Sequence, residues 1–526
     1  MRRLFLIVSV IVSAAILFWA YYWNYALLLF VIVVPLIGMG IIDMVQPKRA
    51  IRRNFPLFGR LRYFLEDYRS KIQQYFVESD TDGAPINRND RSVIYQRAKK
   101  QLDTMPFGTQ LDVYSEGYEW MSHSVAPIDI SLVDQHPRVI VGNKDCKQPY
   151  SASILNVSAM SFGSLSANAI LALNGGARIG NFAHNTGEGG ISPYHTRFEG
   201  DLVWQVGTGY FGACKGAGIF SPDVFRKNAL RSTVKMIELK ISQGAKPGHG
   251  GILPAKKNTP EIAAIRHVMP GTTIYSPPFH SAFRTPLEMV RFIQQLRELA
   301  DGKPVGFKMC IGRKSEFISI CKAMVELNCY PDFISVDGGE GGTGAAPPEF
   351  SNFVGMPLMD GLSFVANMLR GFDIHQHIKI IASGKILTGF QLLRALALGA
   401  DLCYSARAMM MAVGCIQALE CNRNTCPTGV ATQDKYLMRG LDVDDKKVRV
   451  ANYHKYTVES FVELMSSSGL DHPSKLNRHM INRRVFMNQV RTFEEIYPSV
   501  PIGAMLNGNI PEAYRNSYNS ASAEVF

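Results

Sequence analysis

Residues 378–407 read IKIIASGKILTGFQLLRALALGADLCYSAR. An apolar run, Ile378–Ala382, leads into Ser383-Gly384-Lys385; after a helical stretch, Thr388–Leu398, a second apolar run, Asp401–Tyr404, leads into Ser405-Ala406-Arg407. Apolar run, small-residue turn and helix, repeated, is the pattern of parallel βα units. Both turns end in a cation, and the loops after the last two strands of a (β/α)8 barrel commonly hold a phosphate. Toward the N-terminus lie six more runs, Ile154–Met160, Gly180–His184, Leu202–Val206, Met236–Ile241, Val305–Cys310 and Phe333–Val336. Helical stretches fall at Thr285–Ala300, Lys314–Leu327 and Gly361–Arg370. Eight strands interleaved with helices over about 260 residues predict an α/β fold, a closed (β/α)8 TIM barrel. An open doubly wound sheet is disfavoured, because it would carry its glycine fingerprint after its first strand.

The residues that follow the strands are rich in glycine. After strand one comes Ala159-Met160-Ser161-Phe162-Gly163, and after strand two Asn185-Thr186-Gly187-Glu188-Gly189-Gly190. Strand four leads into Gln243-Gly244-Ala245-Lys246-Pro247-Gly248-His249-Gly250-Gly251, and strand six into Asp337-Gly338-Gly339-Glu340-Gly341-Gly342-Thr343-Gly344. Any one such loop reads as a tight turn; four at one barrel mouth suit close approach of backbone N–H groups to a flat, phosphorylated ligand. FMN is the economical choice: its phosphate would lie at Ser383, Gly384, Lys385, Ser405, Ala406 and Arg407. Met160, Ser161 and Gly339 would border its ring, with Lys308 as an inward cation and Gln205 as an amide donor.

Cys415, Cys421 and Cys426 are spaced Cys-x5-Cys-x4-Cys, with Pro427 after the last. Zinc wants four Cys/His ligands and no histidine lies nearby, so three thiolates suit an iron–sulfur centre. Three ligands imply a [3Fe-4S] cluster, with Cys403 left open as a remote fourth. Cys146, Cys214, Cys310, Cys321 and Cys329 read as small core hydrophobes.

From Leu4 to Ile42 no side chain is charged, a run of 39 residues, whereas one membrane-spanning helix needs about 20. Two helices fit, turning at Trp23-Asn24-Tyr25. Arg2 and Arg3 precede them, and Lys48–Lys71 holds eight Lys/Arg against Glu66 and Asp67. Positive charge at both ends places both in the cytoplasm. A cleaved signal peptide ending near Ser13-Ala14-Ala15 is disfavoured, because a second apolar helix would still follow. That basic segment takes half of the +12 net charge, so it reads as juxtamembrane and not as a nucleic-acid surface. Overall, 47% apolar and 19% charged residues exclude a disordered or mainly membrane-embedded chain. The expected organisation is a membrane anchor at 1–47 and a basic, helical collar at 48–145, with amphipathic segments Arg60–Phe76 and Arg91–Leu102. The FMN barrel with its iron–sulfur loop follows at 146–435, then a helical extension and polar tail at 436–526. The expected location is the cell membrane, with the catalytic domain facing the cytoplasm.

Together the motifs resemble the FMN-binding synthase domain of glutamate synthase. The matching strings run from Ser158-Ala159-Met160-Ser161-Phe162-Gly163 through Asn185-Thr186-Gly187-Glu188-Gly189-Gly190, Gln243-Gly244-Ala245-Lys246-Pro247-Gly248, Ser276-Pro277-Pro278 and Gly341-Gly342-Thr343-Gly344-Ala345 to Cys421-Asn422-Arg423-Asn424-Thr425-Cys426-Pro427. They occur in family order across roughly residues 146 to 470. The resemblance implies FMN, a [3Fe-4S] cluster on Cys415, Cys421 and Cys426, and reduction of the imine of 2-oxoglutarate to glutamate. Electrons would come from a donor protein, a ferredoxin or a flavoprotein reductase. The family's N-terminal glutaminase nucleophile has no counterpart at Met1-Arg2, its C-terminal glycine-rich domain is not expected either, and His249 stands where an acidic residue is usual. A membrane-tethered, stand-alone synthase without its own ammonia source is therefore expected. Lys246 and Gln243 would bind the oxo acid, and Glu188 would orient ammonia or move a proton. Two alternatives remain: methylamine as the amine, giving N-methylglutamate, or a membrane redox relay that makes no amino acid.

Overall fold

The computed structural model describes residues 1–101, 104–216 and 218–526. The chain divides into two compact units, Met1–Pro85 and Ile86–Phe526.

In the first unit, helix α1 (Arg2–Tyr22) and helix α2 (Phe30–Val45) are joined by a 3-10 turn, Asn24–Leu29. Two stretches, Arg2–Tyr22 and Asn24–Val45, are long and apolar enough to cross a membrane by length and composition. They run antiparallel, because Gly40 near the end of α2 faces the Phe5 ring near the start of α1 so closely that any Cβ there would overlap it. Short helix α3 (Ala50–Asn54) and helix α4 (Phe58–Ile72) follow.

The second unit is built on eight parallel strands closed into a barrel. They are β1 (Leu155–Val157), β2 (His184–Asn185), β3 (Leu202–Val206), β4 (Val234–Lys240), β5 (Val305–Met309), β6 (Phe333–Asp337), β7 (Lys379–Ser383) and β8 (Leu402–Ser405). Each lies where the apolar runs predict a strand, with one shift. Gly180 ends helix α6 (Ala167–Gly180), Asn181 takes the left-handed cap conformation at φ 52°, and the second strand begins only at His184. A helix that closes on a left-handed residue consumes the first residues of the expected strand.

Strand alternation sends one set of side chains into the barrel, where they form layers. Val203, Met236, Phe333, Ile381 and Leu402 form an apolar cluster with Val141, Tyr150 and Ala152 of the antiparallel hairpin Arg138–Val141/Tyr150–Ser153. Above it lies a polar layer centred on Glu238, which is fully buried. Glu238 accepts from Asn185 Nδ2 at 2.8 Å, Gln205 Nε2 at 2.6 Å and Ser335 Oγ at 2.5 Å. At the strand ends, Lys240, Lys308 and Asp337 form the floor of the mouth.

Around the barrel, helix α5 (Arg88–Lys99) and the long helix Val443–Ser467 pack together, and the long helix also covers α6; Leu102 lies outside the described residues. Beyond the helices expected after Gln433, the structure adds a hairpin, Ile481–Phe486/Gln489–Thr492, paired with Glu119–Met121. Glu119 fixes that sheet by accepting from Arg394 at 2.5 Å and from Arg483 Nε at 2.8 Å.

Four buried histidines, His184, His195, His280 and His454, stay neutral in this fold. His454 Nε2 donates to Leu155 O at 3.0 Å, and its ring stacks on Phe182 at 4.0 Å. His280 Nε2 donates to Lys240 O at 2.8 Å, and Tyr210 supplies its hydroxyl hydrogen to Nδ1 at 2.9 Å. Burial lowers His454 and His184 to about 3 and His280 to about 4. Above pH 6.5 folded and unfolded chains bind the same protons at these sites; below it only the unfolded chain takes them up, so stability falls with pH. Each histidine should cost about 1.4 kcal/mol by pH 5.5, about 6 kcal/mol for the four. The urea midpoint of the barrel is expected to fall between pH 7.5 and 5.5, and His454→Gln should flatten that fall by about a quarter.

Candidate active site

The mouth is organised by Lys240, the last residue of β4. Its ammonium lies 2.7 Å from Glu188 Oε1 and 2.6 Å from Gln243 Oε1. These joins bring the loops after β2 and β4 to one point. Burial alone would raise the Glu188 carboxyl, but Lys240 outweighs it, helped by Arg266 and Lys246, and the carboxyl is held below its ordinary range. Lys246 donates to Ala345 O at 2.7 Å, drawing in the loop after β6. Burial takes the Lys246 ammonium down to about 8, Lys240 pushes the same way, and Glu188 opposes both. Lys308 pairs with Asp337 Oδ2 at 3.3 Å, and that carboxylate also accepts from Gly244 N at 2.8 Å.

Glycine at this mouth has a structural use the sequence does not separate from ligand approach. A Cβ at Gly244 would overlap the Gly338 carbonyl, so the loops after β4 and β6 touch backbone to backbone. At Gly187, φ is +63° and a Cβ would come within 2.7 Å of Ser161 N, which seats the loop after β2 on the loop after β1.

The phosphate-type turns lie together after β7 and β8. Arg407 donates to Glu340 O at 2.7 Å, and its guanidinium is lowered by burial, with Asp337 and Glu340 opposing. No described residue accepts from the backbone N–H of Gly384, Lys385, Ala406 or Arg407. Four unsatisfied donors beside two cations suit a phosphate. The hydroxyls there turn inward: Ser405 Oγ donates to Ile386 O at 2.6 Å, and Ser383 Oγ lies 3.4 Å from Ser158 Oγ. Gly339 donates to Met356 O at 2.8 Å. Met160 and Ser161 are buried at the first loop, whereas Gln205 sits a layer lower, its amide engaged by Glu238. His249 faces Phe350 edge-on at 5.3 Å and donates through Nδ1 to Gly250 O.

Cys415, Cys421 and Cys426 line one small cavity with Met410, Glu420 and Val430. Gln417 N–H points at Cys415 Sγ at 3.4 Å, the backbone-to-sulfur contact expected of a thiolate ligand. Burial pushes the Cys415 thiol up to about 12, with Cys421 and Cys426 adding to it. Among the described residues no three His, Cys, Asp or Glu side chains converge on a single metal ion. The three thiols line the same cavity, an all-sulfur donor set of the soft kind that suits iron–sulfur chemistry. Tyr95 Oη donates to Cys415 O at 2.8 Å, so α5 braces this loop.

Four consecutive carbonyls tie the cysteine loop to the mouth. Phe162 O accepts from Arg266 at 3.1 Å, Ser164 O from Lys257 Nζ at 2.7 Å, and Gly163 O and Leu165 O from Gln433 Nε2 at 3.2 and 2.8 Å. Lys257 is buried; burial takes it down to about 8, while Cys421 and Cys426 favour its charge. Sequence reasoning missed Lys240, Asp337, Glu238, Arg266 and Lys257. Lys240 and Asp337 had a signal, as charged residues closing apolar strands. Arg266 and Lys257 had none, since only tertiary folding brings 252–266 to the first loop.

These features define a barrel enzyme with a cationic mouth and a cysteine loop locked to it. The model of the conserved region in glutamate synthase matches residues 99–471. The chain is 35% identical to the glutamate synthase large subunit-like protein YerD of Bacillus subtilis, over 87% of this chain and 95% of that protein. It is 34% identical to the archaeal-type glutamate synthase (NADPH) of Thermotoga neapolitana, over 60% of this chain and 59% of that protein. With the glutamate synthase (NADPH) large chain of Azospirillum brasilense it shares 32% identity over 63% of this chain and 21% of that one. The chain therefore spans nearly all of the Bacillus relative but about three-fifths and one-fifth of the other two. It belongs to the glutamate synthase family and is an oxidoreductase of that type.

Lys240→Met should leave the Glu188 carboxylate buried without its ammonium. A loss of about 3–5 kcal/mol is expected from urea unfolding, most of it recovered in the Lys240→Met/Glu188→Gln double variant. Additive losses would mean the two side chains are energetically independent.

Proposed function

We propose that this chain reduces the imine of 2-oxoglutarate to glutamate, with electrons from a donor protein, while residues 1–47 tether it to a membrane with the barrel on the cytoplasmic side. The observation that carries this reading is the Lys240–Glu188–Gln243 cluster with Lys246 at the mouth, in a chain of the glutamate synthase family. Ammonia would add to the C2 carbonyl and water would leave; the imine then takes a hydride at carbon and a proton at nitrogen, two electrons in all. Lys240 and Lys246 supply the positive charge that the two carboxylates of the oxo acid require. Glu188, held ionised by Lys240, would accept an N–H of ammonia and so orient its lone pair toward C2.

Ser383-Gly384-Lys385 and Ser405-Ala406-Arg407 would hold the phosphate of FMN, with Met160, Ser161 and Gly339 along the ring and Lys308 at the strand ends. Cys415, Cys421 and Cys426 would hold a [3Fe-4S] cluster. Bound there, the two groups would supply hydride transfer and one-electron acceptance. Residues 48–145 then form the collar, 146–435 the barrel with its cluster loop, and 436–526 the extension.

Chemically reduced protein given 2-oxoglutarate and ammonium is expected to yield glutamate. N-methylglutamate formed only with methylamine would shift the substrate to that amine, and reoxidation without amino acid would support the relay. Arg407→Ala removes a charge-assisted phosphate contact and should weaken FMN roughly ten- to a hundredfold by flavin titration. Cys421→Ser replaces a soft ligand with a hard one, so the parent's three irons and its paramagnetic signal when oxidised should both be lost while the flavin stays. Equal iron in variant and parent would remove the cluster from the scheme.

A further inference from the structure

Helix α4 presents an unpartnered apolar stripe. Phe58, Leu61, Phe64, Leu65, Tyr68 and Ile72 are each 40–75% exposed. At 3.6 residues per turn they fall within about 120° of the helix circumference. On the same wheel Arg62 and Arg69 border one edge of the stripe, Arg60 and Lys71 border the other, and Glu66 lies on the far side. The stripe continues past the helix end, where Tyr75 and Phe76 are 56% and 85% exposed.

The start of this helix is tied to the foot of the membrane hairpin. Asp43, two residues before the end of α2, is fully buried. It pairs with Arg52, accepts from Arg60 Nε at 2.7 Å, and accepts from Leu57 N at 3.3 Å. The knot fixes α4 at the level where α2 would leave the hydrocarbon. Gly59 allows it to lie close, since a Cβ there would come within 2.8 Å of the Arg52 backbone.

We propose that α4 is an in-plane membrane helix. Its apolar stripe beds into the boundary between acyl chains and headgroups of an anionic leaflet, while Arg62 and Arg69 along one edge and Lys71 along the other pair with lipid phosphates. Charge complementarity and continuity with the hairpin favour a lipid surface over a second copy of this chain, whose matching stripe would bring like charges together. The inference rests on the reading of residues 1–47 as a membrane hairpin and adds a lipid class and a second point of attachment.

The test uses the full chain in vesicles of phosphatidylcholine with phosphatidylglycerol, carrying a photoreactive phenylalanine analogue at Ile32, Phe64 or Glu66. Acyl-chain adducts are expected from Ile32 and Phe64, with at least tenfold less from Glu66. Adducts at Ile32 with none at Phe64, or equal yields at Phe64 and Glu66, would overturn the in-plane helix and leave the hairpin standing. Cross-links from Phe64 to a second chain would overturn it in favour of self-association. No adduct at Ile32 would overturn the hairpin itself. Amide exchange across residues 58–72 should be at least tenfold faster in pure phosphatidylcholine, and the Arg62→Gln/Arg69→Gln variant should erase most of that difference. Equal exchange in both lipids would remove the anionic requirement.

Discussion

The carbonyls of residues 162–165 are the hinge on which the mouth depends. The loop after β1 is mostly buried and leaves the sheet after Ser158, so its backbone acceptors are met by its own N–H groups and by side chains. Arg266, Lys257 and Gln433 provide them, from two segments far apart in sequence. Two of the three donors are cationic, and such contacts are worth about 1.5–3 kcal/mol each. The same loop enters α6 through Ser166, whose hydroxyl accepts from Ala169 N, so a shift in it would pass to the helix, the cysteine loop and the floor of the mouth.

Below that loop the barrel holds a carboxylate that forms no ion pair among the described residues. Glu238 is satisfied by two amides and a hydroxyl, from β2, β3 and β6, of which only β3 adjoins its own strand. Such an arrangement is stable only if every donor stays in place, because desolvating a charge without its partners is costly. The apolar cluster beneath keeps water out from one side and the Lys240–Glu188 pair covers the other. Gln205 therefore carries a structural load through Nε2, whatever its carbonyl does.

The eight strands were legible because apolar runs of four to seven residues, five of them leading straight into glycine or serine, have few other uses. Lys314–Leu327 is a helix over the expected residues, where spacing and flanking turns agree. The meaning of the glycines was not legible. A close approach to a ligand and a close approach of Gly244 to Gly338 both demand a missing Cβ, and sequence alone cannot separate them. The hairpin at Ile481–Thr492 was hidden for a different reason: its strands are mostly polar, and much of what holds them is the ion pairing of Glu119 with Arg483 and Arg394. Three residues more than sixty positions apart leave no local pattern.

The electrostatics of the mouth favours anionic ligands. Lys240, Lys246, Lys308, Lys385, Arg266 and Arg407 gather around the mouth, against Glu188, Asp337 and Glu340. Among the described residues four of those six, Lys246, Lys385, Arg266 and Arg407, have no carboxylate of their own within salt-bridge distance, yet burial disfavours the charge of each. Burial already draws Lys246 down to about 8 and Arg266 to about 10. A cationic excess held against desolvation is unstable by itself and is relieved by anions entering the mouth. A phosphate after β7 and β8 would neutralise Arg407 and Lys385, and a dicarboxylate would neutralise Lys246 and Lys240. On the function proposed above, these cations would be divided between two anions: one fixed at the rim and one that arrives and leaves with turnover.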